Sequence, residues 1–156
     1  MHKPKIYLET TIFNFYFDDE RDTHADTVKL FEEIANGRYE TFTSDYVVKE
    51  LERASIDKRD KMIGLISEYD LIVLDPSEEA VNLANIYVAA GVIPVNYRTD
   101  ALHIAIAAVN DLDIIVSMNF QHIVKRKTMK MTSAINIING YKAVEIYSPM
   151  EIIENE

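Results

Sequence analysis

The feature that most constrains the fold is a helical segment, residues 98–108, that is apolar on nearly every side beyond its first turn. A helix that is hydrophobic all round is usually buried in a domain core, so the rest of the chain must supply layers that cover it. Thr99 is a good N-cap residue, which predicts that Asp100 lies in the first turn, where the helix dipole favours a negative charge. Asp100 is then either a dipole-stabilising acid or an acid at the rim of a buried scaffold that holds a metal ion.

Short apolar runs alternate with helical patterns along the remaining chain. The predicted strands are residues 6–8, 39–43, 71–74, 113–117 and 144–147. The other predicted helices are residues 23–36, 45–54, 57–69, 75–91 and 133–139, with Thr23, Ser44 and Asp75 as N-caps. An apolar, aromatic run at residues 12–17 resumes the first strand after a polar break. Alternation of this kind predicts one α/β domain over residues 1–156, with a mostly parallel sheet of four to five strands and helices on both faces.

Length and charge limit the functions that such a domain can have. A chain of 156 residues is long enough for one well-formed core. The net charge of -10 argues against a broad basic surface for nucleic acid, but it permits a local basic groove for RNA and favours a basic protein partner. Cysteine is absent from the sequence, which excludes thiolate metal sites and agrees with a reducing compartment. With no signal-peptide pattern and no apolar stretch of membrane-spanning length, we expect a cytoplasmic protein.

Four polar residues occupy comparable positions at the ends of predicted elements. Glu9 follows the first strand, Glu50 lies on the helix after the second strand, Asp100 begins the apolar helix and Asn119 follows the fourth strand. Right-handed crossovers would bring these strand ends to one edge of the sheet. Three carboxylates and an amide would form an all-oxygen site, which suits Mg²⁺ or Mn²⁺. Such a cluster of like charges is costly without a cation, and a metal bound there could promote hydrolysis of a phosphodiester. No Walker loop, GxGxxG motif or serine elbow supports another enzyme class.

Four segments of the sequence resemble, in order and spacing, the signature segments of PIN domains. They are residues 6–11 (IYLETT), 43–51 (TSDYVVKEL), 100–105 (DALHIA) and 116–120 (VSMNF). Together they extend over nearly the whole chain, whose size resembles that of the VapC-like toxins of type II toxin–antitoxin systems. The resemblance implies a PIN-like three-layer sandwich and a Mg²⁺- or Mn²⁺-dependent ribonuclease. It also implies a homodimer and inhibition by a small antitoxin protein.

The resemblance carries over residue by residue to the same four positions. Glu50 and Asp100 match acids of the family directly, whereas Glu9 and Asn119 stand where the family usually has Asp. Glu9 keeps the charge on a side chain that is one methylene longer, and Asn119 keeps an oxygen ligand but loses a charge. These departures leave a second hypothesis open, in which the domain has lost catalysis and binds a protein or RNA partner. Two hydroxyls are expected beside the site, those of Thr10 and Ser117.

Two histidines, a basic cluster and an aromatic run allow more than one interpretation. His103, one turn after Asp100, is either a hydrogen-bonded core residue or a participant in the site, and His122 is expected at the surface. The basic cluster either contacts RNA phosphates or forms a solvated loop; it comprises Lys125, Arg126, Lys127 and Lys130. Two further cations near Glu50 either contact RNA or pair with acids; they are Lys49 and Arg53. The aromatic side chains of the run at residues 12–17 are expected in the core or at a dimer surface, and they could stack bases only if exposed; they are Phe13, Phe15, Tyr16 and Phe17.

Overall fold

A computed structural model describes residues 2–154, which contain one five-stranded sheet. Its strands are β1 (Lys5–Leu8), β2 (Glu40–Ser44), β3 (Ile72–Leu74), β4 (Ile114–Val116) and β5 (Glu145–Tyr147). Their order across the sheet is β3-β2-β1-β4-β5, and every neighbouring pair is parallel. The α/β fold with a parallel sheet, predicted from the sequence, is confirmed.

Eight α-helices lie within the described part of the chain. They are α1 (Thr10–Phe17), α2 (His24–Ala35), α3 (Asp45–Leu51), α4 (Ile56–Glu68), α5 (Glu78–Ala89), α6 (Arg98–Val109), α7 (Arg126–Ile138) and α8 (Pro149–Glu154). Helix α2 packs against α1 and α8, whereas α5 packs along α6 and α6 contacts β4. The two groups of helices cover opposite faces of the sheet and complete the three-layer sandwich. No described helix has the length and apolar character that crossing a membrane requires.

Helix α6 forms the centre of one helical layer, as its all-round apolar pattern predicts. Every side chain from residue 101 to residue 108 is buried, including that of His103. The prediction that Thr99 is the N-cap is wrong: the helix begins at Arg98, two residues earlier than predicted, because a 3₁₀ turn at Val95–Tyr97 runs directly into it. Tyr97 is therefore the N-cap residue, and Thr99 lies in the first turn together with Asp100.

The order of the strands creates a switch point between β1 and β4. From β1 the chain moves outward to β2 and β3, whereas from β4 it moves to β5 on the other side. In open α/β sheets, ligands bind at the carboxyl ends of the strands that flank such a point. Leu8 pairs with Val116 at the last position of the two strands, and the Glu9 amide donates to the Val116 carbonyl at 3.1 Å. Residues directly after β1 and β4 therefore leave the sheet side by side.

Local hydrogen bonds explain where two element boundaries differ from the sequence predictions. Residues 12–17 belong to helix α1 and do not resume the first strand, because the Glu9 side chain caps the helix by accepting from the Thr11 amide. Helix α5 is capped by Ser77, whose hydroxyl accepts from the Ala80 amide, and not by Asp75.

Helix α7 is longer than the sequence predicts, because the side chains on its buried face are polar and do not form a hydrophobic pattern. The helix begins at Arg126, not at residue 133. Its buried side chains are Thr128, Thr132 and Asn136, spaced four residues apart. Tyr87 donates a hydrogen bond to Asn136, and Thr132 donates to the Thr128 carbonyl at 2.8 Å. A helix whose inner face is polar has no hydrophobic period in its sequence, so the pattern of apolar residues does not indicate it.

Candidate active site

Glu9 lies at the switch point with its carboxylate turned back onto the start of α1. Its Oε1 accepts hydrogen bonds from the Thr11 amide at 3.3 Å and from the Thr11 hydroxyl at 2.6 Å. The Ser117 hydroxyl, which comes directly after β4, donates to the same oxygen at 2.6 Å. The longer Glu side chain thus joins the ends of β1 and β4 through one carboxylate oxygen.

Glu50 is held by donors from two other elements. Its Oε1 accepts from the Thr10 hydroxyl at 2.8 Å and lies 2.6 Å from Nε2 of His103. Nδ1 of His103 lies 2.6 Å from the Tyr7 hydroxyl, which is itself 2.7 Å from the Ser44 hydroxyl. Helix α3 carries Glu50 to this position because Ser44 caps the helix, accepting from an amide in its first turn.

This buried chain of hydrogen bonds is consistent with either protonation state of His103. With a neutral ring, Ser44 donates to Tyr7, Tyr7 donates to Nδ1, and Nε2–H donates to Glu50. With a protonated ring, Nδ1–H donates to Tyr7, which in turn donates to Ser44. Only the hydroxyl hydrogens rotate between the two states, so His103 can hold or release a proton while every partner stays in place.

Asp100 is fixed on the other side of the site by the loop that follows β4. Its Oδ2 lies 3.1 Å from Nδ1 of His122, and the Asn119 side chain also hydrogen-bonds to it. Asn119 Oδ1 accepts from the His122 amide at 3.0 Å, which orients both residues. The Tyr97 ring covers His122, with the ring centroids 4.0 Å apart. The prediction that His122 lies at the surface is wrong, since its side chain is mostly buried against Asp100.

Burial and the charge of one histidine, His103, shift the pKa values of the three acids. Burial raises the pKa of Glu9 and of Asp100, and the nearby charge of His103 only partly offsets this. Burial would also raise the pKa of Glu50, but hydrogen bonds and the charge of His103 hold it below the usual value. For His103, burial lowers the pKa, yet the interactions with Glu50, Glu9 and Asp100 outweigh it and raise the pKa. All three carboxylates therefore act on the same imidazole.

The chemistry of the donors fits a hard divalent cation, although the arrangement of side chains is not that of a closed metal cluster. Carboxylate and amide oxygens are the ligands that Mg²⁺ and Mn²⁺ prefer, and the raised pKa values of Glu9 and Asp100 reflect buried acids that a cation would stabilise in the charged form. Within residues 2–154, no group of three or more His, Cys, Asp or Glu side chains is placed to hold a metal ion.

The structure brings together the residues that the sequence singled out and adds several that it did not. The predicted acids and hydroxyls lie at the same edge of the sheet, and Thr10 and Ser117 each donate to one of the acids. His103 is both a buried core histidine and a contact of Glu50. Sequence reasoning missed four residues of this network, namely Tyr7, Thr11, Ser44 and His122. A tyrosine in an otherwise aliphatic strand and a second threonine after Glu9 were the available signals.

The basic residues differ in what they contact. Lys49 pairs with Asp45 at 3.2 Å, whereas Arg53 adds positive charge near Glu50. The basic cluster is exposed at the start of α7 and does not form the loop given as its second interpretation. Its contact with RNA stays a prediction.

The aromatic run divides along the faces of α1. Phe13 is buried in the core, as expected, while Phe17 is exposed. Phe15 and Tyr16 are partly buried. The run is thus neither wholly core nor wholly surface, and its exposed member, Phe17, lies at the end of α1 farthest from Glu9.

The structure combines a PIN-like α/β fold with a partly buried acidic site at the switch point of its sheet. No protein-family model matches the sequence, and no curated protein matches it at a significant level. Among solved structures, the chain is similar to a chain in the crystal structure of VapBC2 from Rickettsia felis bound to a DNA fragment from their promoter. The TM-score is 0.58 and the sequence identity 13%, over 92% of this chain and 98% of that chain. At this identity the likeness shows the shared fold.

Proposed function

We propose that this protein is a metal-dependent endoribonuclease that hydrolyses RNA phosphodiester bonds and is the toxin of a toxin–antitoxin pair. The observation that carries the proposal is the meeting of three acids from different elements at one edge of the sheet. Glu50 Oε1 lies 2.6 Å from Nε2 of His103, and Asp100 lies three residues before His103 on α6. Glu9 is bonded to Ser117, two residues before Asn119. Glu9 is buried and Glu50 and Asp100 are partly buried. Like charges grouped in this way are costly to a fold, and binding of a metal ion for nuclease chemistry would offset that cost.

The residues of the chain would position the reacting groups. Glu9, Glu50, Asp100 and Asn119 would hold Mg²⁺ or Mn²⁺, and the bound ion would polarise a phosphoryl oxygen and lower the pKa of the attacking water. Thr11 and Ser117 orient Glu9, and Thr10 and His103 orient Glu50. His122 orients Asp100 in the same way. Each acid therefore has its direction set by donors from neighbouring elements, as supported ligands require.

The proposed partner is a small basic antitoxin protein. Two observations support it. The structurally similar chain comes from VapBC2, a toxin–antitoxin complex, and this chain has a net charge of -10, which would steer a basic partner towards it. The RNA substrate and the homodimer stay predictions that follow from the resemblance alone.

One set of observations favours the second hypothesis, a PIN-fold module without catalysis that binds a partner. Glu9 Oε1 already accepts three hydrogen bonds, and Glu50 Oε1 accepts from Thr10 and lies against His103. A metal would have to use the second oxygens or displace these donors. In this hypothesis the network has a structural role, because it supplies hydrogen-bond donors to the carboxylates of Glu9 and Glu50.

Calorimetry with Mn²⁺ and Mg²⁺, followed by cleavage of single-stranded RNA, separates the two hypotheses. The variants are Asp100→Asn and Glu50→Gln, and Glu52→Gln is the matched control because Glu52 is exposed two residues from Glu50. The nuclease proposal expects metal binding and cleavage in the wild type and the control, and their loss in the two site variants with an unchanged circular dichroism spectrum. A folded wild-type protein that neither binds metal at millimolar concentration nor cleaves RNA would overturn it in favour of the binding module.

A further inference from the structure

A shallow, open cavity of about 480 Å³ lies at the surface where the chain leaves β4, next to the segment that carries Asn119. Its aromatic and apolar walls come from two elements, with Phe15 on α1 and Met118 and Phe120 after β4. Asn119 lies in sequence between the last two, so the cavity continues the edge of the sheet on which the acids lie. Its rim is the loop between α1 and α2, which contributes Glu20, Arg21 and Asp22. We call this space the aromatic cavity.

The aromatic cavity presents ring surface to solvent. Phe120 follows a buried strand, yet its side chain is 53% exposed. The ring therefore does not serve mainly to pack against the core. The guanidinium of Arg21 lies over the Phe15 ring at 5.0 Å and is itself held by Asp18 at 2.8 Å. Phe120 thus offers an exposed ring, and the Arg21 guanidinium on Phe15 offers a second planar surface. Exposed aromatic rings and guanidinium planes are the features on which proteins stack the bases of single-stranded nucleic acids.

The negative charge of the rim determines whether the aromatic cavity can bind the phosphate or the base of a nucleotide. Glu20 and Asp22 are acidic, and the one cation of the rim, Arg21, is already paired with Asp18. A phosphate would be repelled by these carboxylates, whereas a base has no charge and can donate hydrogen bonds to them. Bases with an exocyclic amino group offer two such donors, so adenine, cytosine and guanine are favoured over uracil.

We propose that the aromatic cavity binds one unpaired base of the RNA substrate and so places a neighbouring phosphate beside Asn119 and the acids. The proposal rests on the proposed function in that RNA is the substrate. It names Phe120 as the ring that stacks on the base, and Glu20 and Asp22 as the residues that determine which base is accepted. The acidic site takes the phosphate only with the help of a cation, while the aromatic cavity takes the base without one.

Fluorescence anisotropy with labelled oligo(A), oligo(C) and oligo(U) ribonucleotides tests the aromatic cavity. Binding is measured at low ionic strength with Ca²⁺ present, so that affinity is read separately from cleavage in Mn²⁺. The variants are Phe120→Ala and Phe120→Tyr, and Phe17→Ala is the matched control because Phe17 is a similarly exposed phenylalanine at the far end of α1 and does not line the cavity.

The expected result is that Phe120→Ala weakens binding of oligo(A) by between about fivefold and about a hundredfold, the range for loss of one stacked base. Phe120→Tyr and Phe17→Ala should bind like the wild type, and the preference of the wild type for oligo(A) and oligo(C) over oligo(U) should disappear in Phe120→Ala. Equal affinity of wild type and Phe120→Ala, or no binding of any oligonucleotide by the wild type, would overturn the proposal.

The two proposals fail in different ways. Binding that depends on Phe120 without cleavage in Mn²⁺ would refute the nuclease but keep the base subsite. Cleavage of RNA by the wild type, together with wild-type affinity for oligonucleotides in Phe120→Ala, would keep the nuclease proposal and refute the base subsite.

Discussion

Replacing Tyr7 with Phe is the sharpest test of the buried hydrogen-bond chain that supports the site. Tyr7 is fully buried on β1, and its hydroxyl lies between the Ser44 hydroxyl at 2.7 Å and Nδ1 of His103 at 2.6 Å. Phe keeps the ring and removes only the hydroxyl, so the packing of the core is preserved. The change therefore isolates the hydrogen bonds from the hydrophobic contribution of the side chain.

The expected cost follows from what the substitution leaves behind. Ser44 keeps the amide of Val47 as a partner at 3.3 Å, but Nδ1 of His103 loses its partner in a site with 1% exposure. A buried polar atom left without a hydrogen bond costs roughly 1–3 kcal/mol. For a chain of this length, each kcal/mol lowers the melting temperature by about 2–4 °C, so we expect a decrease of roughly 4–8 °C for a cost near the middle of that range.

Urea unfolding at pH 7, followed by circular dichroism, measures this cost directly. The matched control is Tyr141→Phe, which removes a hydroxyl that donates to Glu79 at the surface and should leave the urea midpoint unchanged. A Tyr7→Phe variant with the wild-type midpoint and the same dependence on urea would refute the reasoning. It would mean that the chain from Ser44 to His103 does not stabilise the fold.

Three further predictions concern parts of the structure away from the site. Thr41→Val should raise the free energy of unfolding by about 1 kcal/mol, because the Thr41 hydroxyl is the one fully buried side-chain polar atom within residues 2–154 that makes no hydrogen bond; a lower urea midpoint would contradict this. Ser77→Ala should lower stability by about 1 kcal/mol in thermal melts, whereas Asp75→Ala should not, because the Ser77 hydroxyl caps α5; the opposite order would restore Asp75 as the cap. Burial alone would raise the pKa of Asp113, but the Lys142 ammonium and a backbone amide hold it below its usual value. The ionised carboxylate therefore stabilises the fold above a pH of about 4 and loses this effect as the pH falls through its folded-state pKa, so the urea midpoint of Asp113→Asn should be lower than that of the wild type at neutral pH and equal to it in strong acid.

The layers of the fold could be predicted because they depend on burial alone. Residues 101–108 are apolar in every direction, and they are buried in α6 as that pattern requires. The strands were recognised from short apolar runs, and their parallel pairing follows from their alternation with helices. Helix α7 was recognised only in part, because its inner face satisfies Thr128, Thr132 and Asn136 through hydrogen bonds, which leave no hydrophobic period in the sequence.

The candidate site was predictable in position but not in detail. The rule that strand ends meet at one edge brought Glu9 and Asn119 together, since β1 and β4 are neighbours. The contact between Tyr7 and His103 joins residues 96 positions apart, and that of His122 with Asp100 depends on the path of one loop. Hydrogen bonds of this kind depend on side-chain directions, which a sequence pattern does not encode.

Glu9 shows why stability and activity have to be measured together at this site. Its carboxylate caps α1 through Thr11 and also ties β1 to the residue after β4 through Ser117. A substitution at Glu9 therefore removes a helix cap and a link across the switch point as well as a candidate metal ligand. Asp100 lies on a helix whose burial rests on seven apolar residues and His103, and its bonds are to Asn119 and His122 in the loop after β4. Loss of activity in Asp100→Asn thus reports on the chemistry of the site, whereas the same loss at Glu9 would first require proof that the fold at the switch point is intact.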